Sequence, residues 1–86
     1  MGKMRAKLQV GFVQEHFHGN EGAKSQETLT FHAVAAKSYP ADGSDEDNTY
    51  AKFSPGANLS INVANSALFG QFKVGEKYYV DFTAAE

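Results

Sequence analysis

The sequence predicts a small all-β domain: a five-stranded antiparallel barrel or compact sandwich, with one short helical turn before the last strand. Three observations carry this expectation. Apolar and polar residues alternate with a period of two in separate stretches, the pattern of strands with one buried face. Proline and glycine punctuate the segments between those stretches, where turns are needed. Seven Phe and four Tyr in 86 residues give the apolar content that disordered chains lack, while the length allows a single core.

Met4, Ala6, Leu8, Val10 and Phe12 alternate with Lys3, Arg5, Lys7 and Gln9. This predicts a first strand ending near Val13, with Phe12 inward and a basic outer face. Residues 14–27, QEHFHGNEGAKSQE, contain two glycines and several charges and read as a hairpin loop or mobile excursion. Alternation resumes at Thr28, with Leu29, Phe31, Ala33 and Ala35 opposite Thr30 and His32. KSYPADGSDEDN holds four carboxylates, Pro40 and Gly43, which makes it an exposed loop. Thr49–Phe53 is a short strand candidate stopped by Ser54-Pro55-Gly56. Leu59, Ile61 and Val63 then point inward, with Ser60 and Asn62 outward.

Asn65–Phe72 breaks the period of two, because Leu68, Phe69 and Phe72 share a face only at helical spacing. Asn65 is placed to cap such a turn and Gly70 to limit it. A turn at 73–76 leads to the last strand, Lys77–Thr83, where Tyr78, Val80 and Phe82 alternate with Tyr79 and Asp81. A strand apolar or aromatic on both sides is central in its sheet or bears a contact surface. An OB-like barrel is one form this order could take, although the helix of that fold sits one strand earlier.

Charge and motifs exclude much. A net charge of −2 gives no basic field for nucleic acid or anionic lipid, and no apolar run approaches a membrane span. Without cysteine there is no disulfide and no thiolate zinc site. The start MGKMRAK is followed only by LQVGFV, short of a secretory signal. These features favour a cytosolic chain that is not an enzyme and carries no cofactor: no G-x-S-x-G motif or P-loop is present, and Ser and His occur together only in unpatterned loops.

Three sets of residues remain as candidates. His16 and His18 are spaced to share one side of a strand, with His32 or Glu15 as further metal ligands, but exposure beside glycines is the simpler account. Asp42, Asp45 and Asp47 lack the spacing and terminal glutamate of a calcium loop. Tyr50, Lys52, Phe53, Lys73, Lys77 and Tyr79, with Tyr78, form a possible binding face. There aromatics could stack on unpaired bases while lysines meet phosphates, the mode of single-stranded DNA binders, although the acidic balance argues for an ordinary surface.

Two stretches, Met4-Arg5-Ala6-Lys7 and Phe69 to Thr83 (FGQFKVGEKYYVDFT), together with Asp47-Asn48-Thr49-Tyr50, resemble elements that recur in small proteins encoded by tailed bacteriophages. The resemblance covers about half the chain. Val74 and Ala84 stand near positions where that group has proline. The resemblance implies a viral origin, residence in the host cytoplasm or the virion, and no activity. The corresponding expectation is a virion structural or interaction module that binds capsid or tail subunits or a second copy of itself, with single-stranded DNA as the alternative partner.

Overall fold

The computed structural model describes residues 4–18 and 22–85. Four strands, β1 (Met4–His18), β2 (Ala23–Ala33), β3 (Asn58–Val63) and β4 (Lys77–Phe82), form one antiparallel sheet in the order β3-β2-β1-β4. One 3-10 turn, Ser66–Leu68, precedes β4. The all-β class and the position of the helical turn agree with the sequence. The sheet is open, with β3 and β4 at its edges, so the described strands do not close a barrel. The last strand lies at an edge instead of in the centre. No helix among the described residues is long and apolar enough to cross a membrane.

Thr49–Phe53 is not a strand. Ala51 N donates to Asn48 O at 2.9 Å, closing a turn, and Phe53 N donates to Gly43 O at 2.7 Å. Phe53 has φ of 60°, a left-handed conformation that interrupts extension. Its ring is held edge-on to Tyr39 at 6.0 Å. It also lies where a β-carbon on Gly43 would come within 2.5 Å of Cε2. Residues 39–53 therefore fold back upon themselves.

Residues 14–27 are mostly paired strand, not loop. Gln14 faces Thr28, His16 faces Gln26 and His18 faces Ala23. Most of its described side chains meet water and the buried one, Glu27, is charged, so the arm lacks the apolar face that alternation detects. The arm helps extend the molecule to 56 × 33 × 16 Å, where the smallest dimension is little more than one sheet and its covering loops.

A bulge divides β1. Val10 faces Phe31 while Phe12 faces Thr30, which leaves Gly11 as the extra residue and reverses the phase of the rest of the strand. Phe12 consequently turns to the polar side, 56% exposed, contrary to the alternation, and Val13 packs against the core in its place. A second irregularity between His16 and Phe17 makes Ser25 the extra residue and lets Lys24 reach Glu27.

The core lies on one face: Ala6, Leu8 and Val10 from β1, Leu29 and Phe31 from β2, and Val63 from β3. The 3-10 turn brings Phe69 and the nearby Phe72 onto this face. Its cap is Asn65, whose side chain accepts from Ala67 N at 3.0 Å. Gly70 ends the turn with φ of 75°, a conformation that costs glycine little. Leu68 stays outside, 39% exposed. Tyr78 completes the layer, edge-on to Phe31 at 6.3 Å and tilted against Phe72 at 5.2 Å.

Candidate interaction surfaces

Part of the acidic loop is structural. Asp45 and Asn48 are buried, whereas their charge and polarity predict exposure. Beyond Leu8 toward the N-terminus, β1 loses its pairing with β2, so its backbone groups on that side need other partners. Asn48 Oδ1 accepts from Lys7 N at 2.8 Å, and Asn48 Nδ2 donates to Val34 O at 2.9 Å and to Asp45 Oδ2 at 3.1 Å. Thr49 N donates to Arg5 O at 3.0 Å, while Arg5 N donates to Thr49 Oγ1 at 2.9 Å. Asp45 Oδ1 accepts from Asp47 N and Asn48 N. An amide and a hydroxyl side chain thus replace a strand backbone. Periodicity cannot reveal such a role, since it has no repeat.

On the polar face, Arg5 donates to Asp81 through Nε at 2.6 Å and Nη2 at 3.2 Å. This hydrogen-bonded pairing raises the pKa of the guanidinium. Arg5 also lies over the Tyr79 ring, 4.8 Å from its centroid, and Tyr79 OH donates to Asp47 Oδ1 at 3.1 Å. Lys7 Nζ is 3.5 Å from Asp47. The same face carries a polar chain across three strands: Thr28 Oγ1 donates to Asn62 Oδ1 at 2.6 Å and accepts from His16 Nε2 at 2.9 Å. His16 is therefore engaged with Thr28. The His18 side chain lies outside the described residues, and no group of three His, Asp or Glu among the described residues could hold a metal ion.

Glu27 lies two residues before Leu29 and continues the inward phase of β2. It is 1% exposed. Lys24 Nζ approaches its carboxylate at 2.6 Å, and Gly70 N lies 3.4 Å from each oxygen. The Glu27 hydrogen bond, assisted by the Glu15 charge, raises the pKa of Lys24. The ammonium also lies 4.9 Å from the Phe69 ring centroid. A carboxylate inside an apolar layer is tolerated only when so partnered. Charge alone places Glu27 in a loop, although its spacing from Leu29 is a signal to the contrary.

The candidate binding face is divided. Lys77 and Tyr79 alternate onto the polar side of β4. Tyr50 instead lines an apolar groove of about 210 Å³ with Met4, Leu8, Leu59, Val80 and Phe82, and burial followed by the Asp45 charge raises its pKa. Phe53 packs on Tyr39 and Lys52 is exposed beside it. Lys73 is exposed in the turn before β4, with its N–H bonded to Glu76 Oε1 at 2.9 Å. Tyr78 belongs to the core layer. The groove is bordered by half-open Met4 and Phe82, 42% and 53% exposed, a feature that alternation alone does not disclose because it depends on how loops cover the sheet. No family model, curated protein or solved structure matches this chain.

Proposed function

We propose that this chain is a non-enzymatic interaction module of a tailed bacteriophage, built into the virion through contacts with capsid or tail subunits. The observation that carries the reading is the incompletely covered apolar face. A single sheet leaves Met4 and Phe82 substantially exposed at a groove whose walls are mostly carbon. Apolar surface of this kind is characteristic of protein contacts. The resemblance at Met4–Lys7 and Phe69–Thr83 supplies the viral setting.

The test is mass spectrometry of purified particles from the phage that encodes the chain. The polypeptide is expected at a stoichiometry tied to a structural subunit, and its absence from particles would refute the assignment. Salt-sensitive quenching of tyrosine fluorescence by a single-stranded oligonucleotide, lost in Tyr79→Ala, would transfer the function to DNA binding.

A further inference from the structure

The two outer strands differ in how they guard their open edges. β4 presents Lys77 and Asp81, charges of the sort that discourage the addition of a further strand. β3 is Asn58-Leu59-Ser60-Ile61-Asn62-Val63, without charge or proline, and pairs with β2 without a register shift. Ile61 is 42% exposed. By the usual rules this is an unprotected edge.

The outward backbone groups are set by the ladder. Ala33 N donates to Ala57 O at 3.1 Å. In the same register, the facing pairs Phe31–Leu59, Leu29–Ile61 and Glu27–Val63 are those that exchange hydrogen bonds. Asn58, Ser60 and Asn62 therefore turn their N–H and C=O groups to the open side. Around Ser60 the sequence is nearly palindromic in character: Asn, Leu, Ser, Ile, Asn.

We propose that β3 is a self-association site, where a second copy of this chain pairs antiparallel about a two-fold axis through Ser60. In that register Ser60 faces its own counterpart, Asn58 faces Asn62 and Leu59 faces Ile61. The three kinds of outward group then meet in about six backbone hydrogen bonds, two for each facing pair. Because the axis is perpendicular to the sheet, the apolar faces stay on one side, and Leu59 and Ile61 of both copies form one patch. The contact is isologous, so it closes at a dimer. No like charges are brought opposite one another. The result is a continuous sheet with four strands from each copy. This proposal does not depend on the viral reading.

Ser60 is exposed on the polar face, so a charged substitution is compatible with the fold. Sedimentation of the full chain from about 1 μM to 1 mM, a span of affinities typical of weak to moderate dimers, is expected to show a monomer–dimer equilibrium. Ser60→Lys and Ser60→Glu should each weaken it by about tenfold or more, since the new charge faces itself. Their circular dichroism should remain unchanged. An equimolar mixture should reassociate as a mixed dimer. A wild-type chain that stays monomeric throughout, a dimer indifferent to Ser60→Lys, or a mixture that fails to reassociate would overturn the proposal.

Discussion

A β-carbon on Gly11 would lie 2.7 Å from Nδ1 of His32. The imidazole thus lies beside the extra residue of the β1 bulge, at the place where the strand changes phase. Real β-carbons do not approach so closely, so a side chain at position 11 must displace the ring or the backbone. Gly11→Val is expected to cost up to about 1 kcal/mol, since the exposed ring of His32 can turn aside. Adding His32→Ala should recover part of this loss. Urea denaturation of the two single variants and the double gives the coupling; strictly additive losses would show that the ring is not the obstacle.

Asn48→Ala removes the acceptor for Lys7 N and the donor to Val34 O. Both backbone groups lie where β1 and β2 part, so the expected destabilisation is about 2–4 kcal/mol. Asn48→Asp should not rescue it, because a second carboxylate would face Asp45. A loss below about 0.5 kcal/mol, the range of ordinary surface changes, would mean that water replaces the amide.

Lys24 and Glu27 should behave as a unit. Lys24→Met leaves a buried carboxylate with only the long contacts to Gly70 N. The double variant Lys24→Met/Glu27→Leu removes the stranded charge as well. The double variant is expected to melt above the single one in thermal scans. The reverse order would show that the Glu27 carboxylate is stabilised without its lysine.

Glu76 accepts from Lys73 N and from Tyr78 OH, the latter at 2.8 Å. The backbone bond, then the phenol, lowers the pKa of the carboxyl. The same contact raises the pKa of the Tyr78 phenol. A lowered carboxyl pKa contributes stability that is present above its unfolded value and lost as pH falls through the folded one. For the phenol the contribution is present below the unfolded value near 10 and lost as pH rises through the folded one. Tyr78→Phe should move the Glu76 titration to higher pH in carboxyl-detected NMR, though not fully to its ordinary value, because the Lys73 bond remains. An unmoved titration would remove the phenol from the account.

Much of the sheet is legible in the residues. Ala6, Leu8 and Val10 announce the start of β1, and Leu59 to Val63 announce β3, because each has one face on a core and the other in water. The Asn65 cap is legible as well, since capping depends on one side chain and its near neighbours. Phe12 defies its pattern because a bulge changes phase without changing composition. Glu27 escapes notice because a carboxylate reads as solvent-exposed until Lys24 and Gly70 are seen beside it. Asn48 leaves no trace, as its partners at positions 7 and 34 are joined to it only by the tertiary fold. The groove depends on how the returning loop places Tyr50 against the sheet, which local pattern cannot supply.

The position of β1 has a consequence for the order in which the chain can mature. It precedes the other described strands in the chain, yet one flank waits for β4, the last of them, and Arg5 meets Asp81 across 76 positions of sequence. β2 can pair with β1 and β3 with β2, whereas β4 must close the widest separation among the described strand pairs, an entropically slow step. A three-stranded β3-β2-β1 unit is therefore expected to form before β4 docks, with the far flank of β1 uncovered until then. Pulsed hydrogen exchange should protect Ala33 N–H, bonded to Ala57 O, before Val10 N–H, bonded to Glu76 O; simultaneous protection would mean that the sheet forms in a single concerted event.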